Sequence, residues 1–175
     1  MGICASKETL HDTGAFSADA GGANTVGGDA AAAMLGVNTL ASKIDLYISC
    51  TNLKNKDVGS KSDPFAVVLM HRLQKNGQYA WEELGRTEII MNQLKNVEFV
   101  TPIKCVYHFE ESQKIKVKIY DCDLEKKNTK SSDINLNKNS HVDVLGESST
   151  IELAQIINGY PIAGQWTGNL TGGRG

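Results

Sequence analysis

Two short phrases in this chain concentrate carboxylates. Asp57 and Asp63 stand six positions apart in DVGSKSDP, and Asp121 and Asp123 flank Cys122 in YDCD. Aspartate favours turns because its short side chain hydrogen-bonds nearby backbone, and that alone accounts for a pair such as Asp63–Pro64. As a set, the four allow a second chemistry. Carboxylates gathered at one mouth repel and raise one another's pKa unless a cation lies between them. Hard oxygen ligands suit Ca2+ or Mg2+, and Ca2+ accepts roughly six to eight of them at flexible angles, drawn from carboxylates, backbone carbonyls and water.

Such a site requires elements that bring separate loops to one place. Strict alternation begins at Ile44, with Ile44, Leu46, Ile48 and Cys50 on one face and Asp45, Tyr47, Ser49 and Thr51 on the other. Phe65–Met70 is a continuous apolar run suited to a central strand, and Trp81–Ile90 and Phe99–Phe109 read as further strands. Ile115, Val117 and Ile119 alternate with Lys114, Lys116 and Lys118, the pattern of a half-buried strand. A polar segment, 124–141, precedes another strand pattern over Val142–Glu152. TIELAQIINGY mixes strand and helix spacing, and GQWTGNL reads as a last strand. Short strands without a βαβ rhythm predict an all-β, antiparallel sandwich. Loops cluster at the ends of a sandwich, so the loop with Asp57 and Asp63 and the loop opened by Asp121 and Asp123 can converge.

The chain has 175 residues, 41% hydrophobic and 22% charged, enough for one domain and a tail. A net charge of −2 offers no global attraction to nucleic acid, and no nucleic-acid partner is expected. No apolar run reaches the roughly 18–20 residues of a membrane-spanning helix, and the start has no secretory signal. Cys4, Cys50, Cys105 and Cys122 form no Cys-x-x-Cys pair, which fits a reducing cytoplasm.

The opening MGICAS matches the N-myristoylation pattern, with Gly2 as acceptor and Ser6 at the small hydroxyl position. Cys4 is placed for palmitoylation, a useful second signal because one myristoyl chain binds membranes only marginally. Residues 1–12 therefore read as a lipidation signal and 13–42, rich in Ala and Gly, as a flexible linker. Residues 43–175 form the folded domain.

The phrase NLKNKDVGSKSDPFAVV resembles the first calcium-binding loop of C2 domains. KIYDCD is similar to the strand and opening of their third loop, and DVLGE to its close. The resemblance implies an eight-stranded C2 sandwich, with Asp57, Asp63, Asp121, Asp123 and Asp143 as Ca2+ ligands and the Cys122 carbonyl as a further one. SKSDPF, VYHFEESQKIKVKIYDCD, the trailing GRG and the Met-Gly-x-Cys start resemble the copines, especially the plant bonzai type. On that resemblance the chain is a fragment with about seven of eight strands and an open edge, its missing strand lying beyond the C-terminus. Nineteen residues separate Asp123 from Asp143, more than compact C2 domains have, and Asp133 within them is a competing fifth ligand. NQLKNVEF stands where an Asn-Pro-x-aromatic turn is common in the family.

The resemblance also implies binding to an anionic phospholipid membrane. Lys114, Lys116 and Lys118 would face headgroups, and bound calcium would turn the loop tip from negative to positive. The expected location is the cytoplasmic face of the plasma membrane, with a cytoplasmic pool. No enzymatic activity is expected: an EF-hand lacks its turn glycine after Asp121-x-Asp123, and a metal-dependent glycosyltransferase would need a nucleotide-binding fold. The rival is a calcium-independent C2-like module for protein interaction.

Overall fold

A computed structural model describes residues 1–7, 41–53, 62–123, 129–136, 138, 141–158 and 164–172. Strand β1 is Gly2–Lys7 and β2 is Ala41–Thr51, whose alternate residues Ile44, Leu46, Ile48 and Cys50 are all buried. Then come β3 (Pro64–Leu73), β4 (Tyr79–Arg86), β5 (Asn96–Glu98), β6 (Ile103–His108) and β7 (Lys114–Cys122). After a 3-10 turn at Ser131–Asp133 follow β8 (Val142–Ser148), β9 (Ile151–Glu152), helix α1 (Leu153–Ile157), β10 (Gln165–Thr167) and β11 (Leu170–Thr171).

The strands form two antiparallel sheets. One runs β10-β1-β2, with β6 and then β5 pairing successive stretches of β2; the other runs β11-β8-β7-β3-β4, with β9 extending the β8 side of β7. The inward residues of β2, β3, β6 and β7 meet in one core with α1, whose Leu153, Ile156 and Ile157 close one end. Antiparallel sheets with one dry face explain the clean alternation of β2 and β7. Pro64–Leu73 is the central strand its apolar run predicts, flanked by β4 and β7.

Three expectations change. Gly2–Lys7, read as an address and placed outside the domain, forms a strand of the sheet between β2 and β10. Regular pairing of the Trp81 run stops at Arg86, and 87–90 continues as an extended segment with Thr87 N–H bonded to Ala66 O at 2.9 Å and Ile90 N–H to Pro64 O at 2.9 Å. The Phe99–Phe109 run begins its strand only at Ile103, because Glu88 holds the Val100 and Thr101 N–H groups at 2.7 and 3.0 Å instead. Gly85 sits at a register shift between β3 and β4, where a Cβ would stand 3.1 Å from Ile103 Cγ2 across the core.

Candidate metal centre and its surroundings

Leu53, Ser62 and Asp63, the segment 92–94 and Cys122 come together at one end of the sandwich, tied by backbone bonds. Leu53 N–H donates to Leu94 O at 2.9 Å, Gln93 N–H to Ser62 O at 3.2 Å, and Cys122 N–H to Asp63 O at 3.2 Å. Asp63 is the junction. Its N–H donates to Asp121 Oδ1 at 2.7 Å, and its own Oδ1 accepts from Asn92 N–H at 2.6 Å. One aspartate from each sequence phrase is therefore in direct contact. Asp121 is 1% exposed, the last inward residue of β7.

Asp143 lies opposite Asp121 in the β7–β8 register, so the two leave the sheet side by side. Asp123 is exposed where β7 ends, and its N–H donates to His141 O at 2.9 Å. Asp133 sits elsewhere, in the 3-10 turn, accepting from Ser132 Oγ at 3.2 Å. Register thus associates Asp143, rather than Asp133, with Asp121. Asp57 lies outside the described residues. Among the described residues no three His, Cys, Asp or Glu side chains come together as a metal-holding group. The donors are hard oxygens, the type Ca2+ takes, and those described are one contact pair with two neighbours.

The long insert does more than lengthen a loop. Its 3-10 turn docks on the outer face of the β3–β4–β7 sheet, where Ile134 joins Phe65, Val67 and Cys122 in a second apolar cluster. Arg86 fastens it: Nη1 donates to Ser131 O at 2.8 Å and to Ile134 O at 2.6 Å, while Nη2 donates to Glu83 Oε2 at 2.7 Å. Ser131 Oγ also donates to Thr87 O. Sequence reading passed over Asn92, Arg86 and Ile134. The one available signal was the apolar pair Ile134 and Leu136 inside a polar insert.

The lysine stripe of β7 carries counter-ions. Lys116 and Lys118 share Glu147 at 3.0 and 3.2 Å, Lys114 reaches Glu152 at 3.7 Å, and Lys116 lies 4.9 Å from the Trp81 ring centroid. Burial raises the Glu147 pKa, but hydrogen bonds from both lysines outweigh it and hold the carboxyl below its usual range. Three lysines meet two glutamates, so the face is weakly rather than strongly cationic.

At the N-terminus, Gly2 pairs with Ser49 and Thr167, and Cys4 with Tyr47 and Gln165. The backbone of both proposed acylation positions therefore belongs to the sheet.

The C2 domain family profile matches residues 46–152 of this chain. The chain belongs to the C2 domain family. Its similarity to copines is direct: Copine-D of Dictyostelium discoideum is 41% identical over 53% of this chain, and Copine-A of the same organism 46% identical over 47%. Protein BONZAI 1 of Arabidopsis thaliana is 34% identical over 70% of the chain. These matches span 17%, 13% and 20% of the respective relatives, so the C2 domain corresponds to a small part of each. A solved chain described as BON1-C2B is 21% identical, with a TM-score of 0.39 over 66% of each chain. This is a copine-like C2 domain, a membrane- or protein-interaction module of a class that is generally non-catalytic.

Proposed function

We propose that this C2 domain binds anionic phospholipid in a calcium-dependent manner at the loop end of the sandwich, and that an acyl anchor on Gly2, with Cys4 as a second acceptor, holds it at the cytoplasmic face of the plasma membrane. The observation that carries the proposal is the contact between Asp63 and Asp121, which joins the two aspartate phrases, with Asp143 beside them in register. Asp57, Asp63, Asp121, Asp123 and Asp143 would hold the ion. The ion would supply positive charge at the loop tip and a direct link to phosphate or carboxylate headgroups. The protein's own part is to keep the loops in register, through Asn92 on one side of Asp63 and Asp121 on the other. Lys116 and Lys118 add to headgroup attraction to the extent that Glu147 releases them.

A calcium-independent interaction module is the second reading. It is favoured by the absence of a three-ligand group among the described residues and by the structural use of both Oδ1 atoms. Calorimetric calcium titration, with and without phosphatidylserine vesicles, separates the two. Binding heat and calcium-dependent sedimentation are expected for the native chain and not for Asp121→Asn/Asp123→Asn. A flat titration with the native protein would leave the second reading standing.

A further inference from the structure

Strand β1 runs antiparallel to β2, and its register fixes where the first residues stand: Gly2 lies opposite Ser49 and Thr167, and Lys7 opposite Ile44. Followed from Lys7 back to Gly2, the chain therefore runs the way β2 runs toward Thr51. That is the end of the sandwich where Asn52 N–H donates to Lys95 O at 2.8 Å, Leu53 N–H to Leu94 O at 2.9 Å, and Asn92 N–H to Asp63 Oδ1 at 2.6 Å. Met1 lines an open recess there with Leu53 and with Leu145, which follows Asp143 by two residues on β8. Thr51, Asn52, Asn169 and Thr171, all exposed, give that recess a polar lining.

We infer that β1 is a mount for the acyl anchor: it directs the chain on Gly2 into the same bilayer that the aspartate-bearing loops face, and so fixes how the domain stands on the membrane. The inference rests on the acylation proposed above and needs no calcium. In that modification Met1 is first removed by hydrolysis; the Gly2 nitrogen then attacks the carbonyl carbon of an acyl thioester, forming an amide and releasing the thiol and a proton. The Met1 ammonium bond to Gly168 O, 3.0 Å, is lost. The acyl carbonyl follows the Gly2 nitrogen as the Met1 carbonyl did, and can accept the same Gly168 N–H. The register of Gly2–Lys7 with β2 does not include Met1, so the strand stays in place. The alkyl chain then continues the line of β1 past Thr51. The polar recess offers it no apolar enclosure, and burial in lipid is its favourable course. Gly2 stands one strand spacing, about 4.8 Å, from β2 and roughly 7 Å along the strand from Thr51. Were the anchor joined to the domain only through residues 8–40, a coil of that length would span about 30 Å and set no orientation. Paired β1 instead puts the acyl chain and the Asp63–Asp121 end on one bilayer at short range, which raises the effective concentration of those loops at the surface.

The test uses the full chain produced with an N-myristoyltransferase and placed on phosphatidylcholine nanodiscs without calcium. Mass spectrometry first reads the acyl mass; its absence overturns the acylation and this inference with it. With the mass present, a gadolinium-chelating lipid is added and the broadening of backbone amide signals is read along the domain. Broadening should be several-fold stronger at Thr51–Leu53 and 91–95 than at the opposite end, in the 74–78 turn between β3 and β4 and the 109–113 turn between β6 and β7. In a comparison chain the acceptor sequence MGICAS and about 30 Gly/Ser residues precede the native β1, which frees the anchor while leaving the strand in the sheet. There the two ends should broaden alike. Equal broadening of both ends in the native acylated chain overturns the mount and leaves the acylation intact. An unchanged gradient in the comparison chain, or loss of amide protection over Ile44–Ser49 on acylation, does the same. Neutral lipid and the absence of calcium keep the result independent of the calcium reading.

Discussion

Asp121 has a structural role in holding the Asp63 N–H and, on the proposed calcium reading, a ligand role as well, and the two can be separated. Asp121→Asn keeps an oxygen for the Asp63 N–H but removes the charge, so calcium heat should vanish while the urea midpoint stays close to native. Asp121→Ala removes the acceptor as well and strands a backbone donor, at a cost of about 1–3 kcal/mol in the same unfolding experiment. Burial pushes the Cys50 and Cys105 thiols from an ordinary 9.0 up to about 12, with the nearby amino terminus drawing Cys50 back slightly. The unfolded chain then loses these protons first as pH rises. Their contribution is complete below pH 9.0 and is lost between there and about 12, which urea midpoints measured across that window should register. Glu88 and Glu147 act at the other extreme. For both, burial raises the pKa, but hydrogen bonds win and lower it from 4.5, so their stabilisation is present above that value and fades as pH falls through the folded pKa.

Two elements have roles their sequences did not announce. The first is β1, which sits between β10 and β2 and leaves β2 with partners along both sides. Deleting residues 1–7 exposes a long strand edge, and unpaired edges invite association. Loss of amide protection along Ile44–Ser49 and a lower melting temperature are the expected results by hydrogen exchange and calorimetry. The second is the insert after Asp123, held by Arg86 and by the burial of Ile134, which is 3% exposed. Ile134→Ala should cost about 2 kcal/mol, the low end for truncating a buried isoleucine because its cluster is small. The loss should appear as faster exchange over 131–136 before it appears in the melt.

For the whole molecule, on the proposed membrane reading, the balance of charge on the outer sheet face would set how strongly it meets an anionic surface. Removing Glu147 as a counter-ion frees Lys116 and Lys118, and each cation near such a surface contributes about 1 kcal/mol. Glu147→Gln is therefore expected to tighten binding to phosphatidylserine vesicles several-fold at low salt, with the gain fading as salt screens it. An unchanged affinity would place the membrane contact away from β7. Much of the sandwich was legible in the chain itself, because a half-dry strand must alternate and a fully buried one must not: β2, β3 and β7 announce themselves this way. The aspartate phrases were legible too, since their residue types and spacing are local. The role of Gly2–Lys7 in the sheet was not, because six residues carry too little periodicity to outweigh a terminal modification pattern, and their partners lie some 40 and 160 positions away. Nor could spacing choose between Asp133 and Asp143. That depended on Arg86 and Ile134 drawing the insert onto the sheet while β8 returned in register beside β7. Local chemistry and periodicity came from the sequence alone; which distant strand closes the sheet, and which carboxylate stands beside Asp121, came from long-range pairing and burial that only the folded chain satisfies.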